Sequence, residues 1–203
     1  MPNVNLIELE GCLQTLVAYL EKNHRKQYAA DSVDRVRGAL AGFHQALETT
    51  DVAYHGWRVE LGEGRQVFKA LHQTYGRLQK ALEDEGAIGY PEQSVEYFLE
   101  EAETLVGCRE MRDFLALHRQ QLDFADSEIQ KLDTLLASAV REGREAGVAL
   151  VDYRRIANTR KAAMERAIEV IADLRPVVRK DLGISHPDYQ GIKWPAMVAP
   201  DAM

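Results

Sequence analysis

Strong helix breakers are scarce in this chain. Its 203 residues include 6 prolines, and apart from Pro91 and Pro176 these lie near the two ends. Between those two positions no residue breaks a helix more strongly than glycine does. Long stretches without breakers are typical of an all-α protein. They argue against a sheet protein, whose strands are separated by frequent turn signals.

Cysteines and long apolar runs are equally few. Cys12 and Cys108 stand far apart and fit no metal-ligand spacing, so we expect free thiols in a reducing compartment. No run approaches the ~20 apolar residues that a membrane-spanning helix needs. The first residues carry Glu8 and Glu10 and no leading Lys or Arg, unlike a signal peptide. These features predict a cytoplasmic protein that does not associate with membranes.

Positive charge is in deficit. The chain has 25 Lys and Arg residues against 32 Asp and Glu, a net charge of −7. Because phosphate binding needs a strongly basic face, this charge argues against nucleic acid as the main partner. A basic stretch from Arg154 to Lys161 is flanked by acids, as on a solvated helix face. A nucleic-acid-associated helical protein is therefore only a third alternative.

The chain does contain long apolar stripes. Alternate steps of three and four residues from Val33 to Leu82 meet large apolar side chains almost throughout, with Thr50 and Gly64 as exceptions. This spacing places one apolar face along a helix, as in a coiled coil or a long bundle helix. Because the stripe keeps its phase across every glycine, we expect one helix over residues 32–85. A break near Thr50 is the alternative.

A second stripe runs with the same spacing from Cys108 to Val178. The segment Arg141–Gly147 interrupts it with two glycines, and Gly143 suits a helix C-cap. We therefore expect a turn there, although the phase of the stripe continues through it. Pro176 is expected to kink the last helix, and Gly183 to end it.

These stripes predict an all-α fold, an elongated antiparallel bundle with long coiled-coil-like helices, over residues 1–183. The predicted helices cover residues 6–27, 32–85, 94–142 and 146–182. Asp31 or Ser32 and Ser94 are the expected N-caps of the second and third helices.

Residues 184–203 form a C-terminal tail of different character. Three X-Pro pairs are expected to keep it extended. Its side chains are too apolar for a disordered tail. We expect Tyr189, Ile192, Trp194 and Met197 to dock in a groove of the chain's own bundle or on a protein partner.

No motif nominates a catalytic residue, a metal or a cofactor. Di-iron bundles need Glu-x-x-His motifs on facing helices, and no pair of such motifs is present. The chain has no Gly-rich phosphate loop after a strand and no Gly-x-Ser-x-Gly. The cluster Tyr54, Trp57, Gly64 and Phe68, with His118 of the second stripe, is core packing in the simplest interpretation. A ligand hollow is the sharper alternative.

Long stripes without catalytic motifs favour a non-enzymatic interaction protein. We predict a scaffold or adaptor bundle that binds a protein partner or itself, as a homo-oligomer. Isolated long helices bury little surface, so the stripes must pair with each other or with another copy. The competing prediction is an enzyme that binds a small ligand or a metal near Trp57, Gly64 and His118.

Overall fold

The computed structural model describes residues 5–94, 96, 98 and 100–195. Within these residues the chain forms helices and no strand, so the predicted all-α bundle is confirmed. The helices are Leu6–Lys22 (α1), Gln27–Asp84 (α2), Glu101–Leu117 (α3), Ala125–Leu182 (α4) and Pro187–Gly191 (α5). The chain divides into two compact units. The middle unit is Tyr54–Asp152, and the terminal unit comprises the residues up to Ala53 and those from Tyr153 onward.

In the terminal unit, α1 packs its leucine face against α2 and α4. The Asn5 side chain caps α1 by accepting a hydrogen bond of 3.1 Å from the backbone N–H of Ile7. Four of the five leucines of α1 are fully buried, in a core that also contains residues of the two longer helices: Leu9, Leu13, Leu16, Leu20, Phe43 and Ile171. An ion pair of Arg37 with Glu21 and a hydrogen bond of His44 to Glu10 show that α1 is antiparallel to α2.

The start of α2 differs from the prediction. The helix begins at Gln27, ahead of the predicted caps Asp31 and Ser32. Tertiary contacts hold this first turn: the Tyr28 hydroxyl donates to Oδ2 of Asp181 at 2.8 Å and lies 2.6 Å from the hydroxyl of Tyr19. The preceding helix ends at Lys22, earlier than predicted.

In the middle unit the chain doubles back before α3. Gly86 and Gly89 adopt φ values of 65° and 81°, which only glycine adopts readily. His72 Nε2 lies 2.7 Å from Thr104 Oγ1 near the start of α3, and His118 at its end faces Gly86. Helix α3 therefore runs in the same direction as α2, and only α4 is antiparallel to α2 in this unit.

The start of α3 also differs from the prediction that Ser94 is its N-cap. Ser94 accepts from the N–H of Glu96 but starts no α-helix. The helix begins at Glu101 instead. A capping box formed by the side chains of Glu100 and Glu103 satisfies its first N–H groups.

The prediction of a turn at Gly143–Gly147 is wrong. Helix α4 runs through both glycines, and the chain turns between His118 and Phe124. That turn contains no Gly or Pro; the carbonyl of His118 accepts from the N–H groups of Gln121 (2.8 Å) and Leu122 (3.2 Å). Leu115 and Leu122 are seven residues apart and both buried, so the apolar spacing passes through the turn unchanged.

The tail is not extended throughout. His186 accepts a hydrogen bond of 3.1 Å from the N–H of Asp188 and caps α5, with Pro187 in its first turn. Proline suits that position because the N–H it lacks would have no helical partner there. Gly183, at φ 83°, follows the end of α4, which continues through Pro176 to Leu182.

Candidate functional site

In the middle unit, one section of α2 and α4 extends beyond the reach of α3. The buried core of this unit uses residues 71–82 of α2, residues 108–115 of α3 and residues 122–139 of the turn and α4. We call residues 54–66 of α2 and 140–152 of α4 the two-helix section. Both ranges are fully described, and their only buried residues are Gly64 and Glu142. The apolar stripes thus continue here without a third helix over them.

Several large apolar side chains of the two-helix section face solvent. Val148 and Val151 of α4 are 64% and 65% exposed, and Val59 of α2 is 44% exposed. Residues three apart on a helix share a side, so the two α4 valines form one patch. The rings of Tyr54 and Trp57 pack with their centroids 5.7 Å apart and are also partly exposed.

The predicted ligand hollow does not form as a single site. Gly64 faces α4, and Phe68 packs at the edge of the middle-unit core. His118 caps the C-terminal end of α3 and lines a cavity of about 370 Å³ beside Gly86. Trp57 lies 27 residues before Asp84, the end of α2 (84 − 57), which is about 40 Å of helix. The structure therefore does not bring His118 to Trp57.

His118 instead has local contacts. Its ring centroid lies 4.4 Å from that of Phe114, and its Nδ1 is 3.2 Å from Oε1 of Gln121. Both partners come from the end of α3 and the turn that follows it. These contacts account for its partly buried position at the cap.

The predicted tail residues pack on the chain itself. Tyr189 and Ile192 are buried in the core of the terminal unit. The indole N–H of Trp194 donates to the carbonyl of Tyr189 at 3.2 Å, and the guanidinium of Arg175 lies 5.5 Å from the indole ring. Met197 lies outside the described residues. The tail surface that was expected to dock is therefore used within the chain.

Neither cysteine is set up as a nucleophile. Both Cys12 and Cys108 are buried. Burial raises the pKa of each thiol to about 12, and the charge of Arg175 only partly offsets this for Cys12. A reactive cysteine needs a lowered pKa and access to solvent. We conclude that these thiols are core residues.

A cluster of carboxylates is the feature that sequence reasoning missed. One oxygen each from Glu60, Glu63 and Glu142 lies within 4.8 Å of the other two. Glu60 and Glu63 share one side of α2, next to Gly64, and Glu142 reaches across from α4. The Glu-x-x-Glu-Gly spacing was visible in the sequence. Its partner on α4 was not, because the pairing of the two helices decides it.

No family model, curated protein or solved structure matches this chain. Among the described residues, no helix is both long enough and apolar enough to cross a membrane. The two-helix section, where exposed apolar side chains and clustered carboxylates coincide, is therefore the candidate functional site of this chain.

Proposed function

We propose that this protein is an assembly protein that self-associates through its two-helix section. The observation that carries the proposal is the exposure of Val148 and Val151, 64% and 65%, on a bundle helix. Elsewhere in the middle unit α3 covers the apolar faces of α2 and α4. Val148 and Val151 lie off the buried stripe, on the side of α4 turned away from Glu142 and α2, so a second copy packed against this outer side would cover them.

A second copy of this chain fits the charges around the valines. Arg144 and Asp152 lie four residues before and after Val148, on the same side of α4. In an antiparallel, two-fold contact centred on Val148, Arg144 of one copy meets Asp152 of the other. Each two-fold contact repeats this pair, so the attraction between Arg144 and Asp152 counts twice.

The size of the effect follows from the exposed area. Burying the exposed part of one valine side chain contributes about 1 kcal/mol. A two-fold contact buries both valines on both copies, which is roughly 4 kcal/mol in total. Removing them should weaken self-association about 1,000-fold.

The test is sedimentation velocity of the full chain over a concentration series up to about 100 µM, where micromolar self-association is visible. We expect dimers or larger assemblies of the wild type and monomers of the Val148→Glu/Val151→Glu variant. Val106→Glu is the matched control, since Val106 is 51% exposed on α3, outside the two-helix section. A monomeric wild type, or equal dissociation of the control, would contradict the proposal.

A further inference from the structure

We propose that Glu60, Glu63 and Glu142 bind a hard divalent cation. The three side chains come from two helices of the middle unit and offer one oxygen each, all within 4.8 Å of one another. Glu142 is 5% exposed, Glu60 is partly buried and Glu63 is exposed. The cluster thus has a closed inner end at Glu142 and an open side toward solvent.

An unsatisfied buried atom points to a ligand at the inner end. Oε2 of Glu142 is shielded from solvent and has no hydrogen-bond partner. Its other oxygen, Oε1, accepts from Nη2 and Nε of Arg141 at 2.6 and 3.2 Å. An ionised oxygen that has lost its water without a replacement partner is costly. A cation held by Oε2 and by the two carboxylates of α2 removes that cost.

The charge at the cluster suits a divalent ion. The cluster holds three carboxylates, and the Arg141 guanidinium that pairs with Glu142 also lies 4.0 Å from Glu145, so negative charge predominates. A divalent cation would offset this excess of negative charge.

The ligand atoms and their spacing select the class of ion. All three are carboxylate oxygens, the donors that Ca²⁺, Mg²⁺ and Mn²⁺ prefer over the nitrogen and sulfur of zinc sites. Calcium–oxygen distances of about 2.3–2.6 Å place opposite ligands about 4.6–5.2 Å apart. Oxygens within 4.8 Å of each other therefore fit around one Ca²⁺, with water completing the shell on the open side.

Gly64 lies where α2 and α4 are in contact beside the cluster. It is buried on α2, and a Cβ added there would lie 3.9 Å from the Cβ of Glu142. That separation is an ordinary van der Waals contact, so Glu142 packs directly against α2 at Gly64. Two carboxylates of α2 then reach the same point from one helix turn.

Titration calorimetry of the metal-free full chain with Ca²⁺, Mg²⁺ and Mn²⁺ tests the proposal. We expect one ion per chain for at least one of these cations, and a rise in melting temperature that NaCl of equal ionic strength does not produce. Glu142→Gln keeps the shape and an acceptor for Arg141 but loses one charged ligand. We expect it to weaken binding about tenfold or more.

Glu145→Gln is the matched control, because Glu145 lies on the same helix, within 4.0 Å of Arg141, but outside the cluster. We expect this variant to bind like the wild type. Without cation, Glu142→Gln should melt at a higher temperature than the wild type, because it removes a buried charge, and the order should reverse at saturating cation. No binding of any of the three ions, or equal loss in both variants, overturns the proposal. Because binding is measured per chain, its failure is distinct from a failure of self-association.

Discussion

Gly107 of α3 lies against Phe98 so closely that a single methyl group should destabilise the protein. A Cβ at Gly107 would lie 2.3 Å from Cζ of Phe98 and 3.0 Å from both Cε atoms. Carbon atoms in contact are ordinarily about 3.5–4.0 Å apart. Gly107→Ala therefore requires a shift of more than about 1 Å by one of the two residues.

The surroundings of Phe98 oppose that shift. Its ring packs edge-on against Tyr75, with centroids 5.0 Å apart, and lies 6.1 Å from the ring of His72. Overpacking of this kind costs about 1–3 kcal/mol. Replacing glycine by alanine inside a helix gains about 0.5–1 kcal/mol. The cost exceeds the gain, and we expect a net destabilisation of about 1–2 kcal/mol.

Urea denaturation followed by circular dichroism measures this difference. The control is Gly147→Ala on α4, where an added Cβ has no atom within 4 Å. That variant should gain about 0.5–1 kcal/mol from helix propensity alone. In a Phe98→Ala background, Gly107→Ala should also become stabilising, since the obstructing ring is gone. A stabilising effect of Gly107→Ala in the wild type, or a destabilising effect that persists in the Phe98→Ala background, would contradict this prediction.

Two further predictions concern ionisable groups. The Lys26 hydrogen bond, with that from Tyr28, holds the pKa of Asp181 below its ordinary value of 3.8, against the opposing effect of burial. The interactions of ionised Asp181 therefore stabilise the folded chain above pH 3.8, and this stabilisation is lost as the pH falls further. We expect Asp181→Asn to lower the melting temperature at neutral pH and to flatten the decline of the melting temperature in acid. Parallel melting curves against pH for the two proteins would refute this. Both buried cysteines, with pKa values raised to about 12, should react slowly with iodoacetamide in the native protein and readily in denaturant. Native rates equal to those of the unfolded chain would show that the thiols are accessible.

The apolar stripes predicted the helices better than they predicted the turns. The spacing from Val33 to Leu82 lies within the single helix α2, and the glycines inside it do not interrupt it. The same spacing concealed the turn before α4, because Leu115 and Leu122 keep a seven-residue interval across it. Glycines at 143 and 147 suggested a turn where none exists, since an isolated glycine costs a helix only about 1 kcal/mol.

The candidate sites were less accessible to sequence reasoning. Tyr54 and Trp57 lie on the first apolar stripe and His118 lies on the second. The spacing within each stripe does not give the distance in space between residues of different stripes. The apolar character of Tyr189 and Ile192 is visible in the sequence, while their location in the terminal-unit core came only from the structure. The buried position of Glu142 had no sequence signal of its own, because it stands among the exposed, charged residues Arg141, Arg144 and Glu145.

The sequence by itself determined that this chain is helical and which faces of its long helices are apolar. Both follow from local periodicity and from the scarcity of breakers, which act within a few turns of helix. The tertiary structure decided where the chain turns, how far α3 covers α2 and α4, and which carboxylates meet opposite Gly64. These depend on contacts between residues far apart in the chain, such as Glu63 with Glu142 and Tyr28 with Asp181.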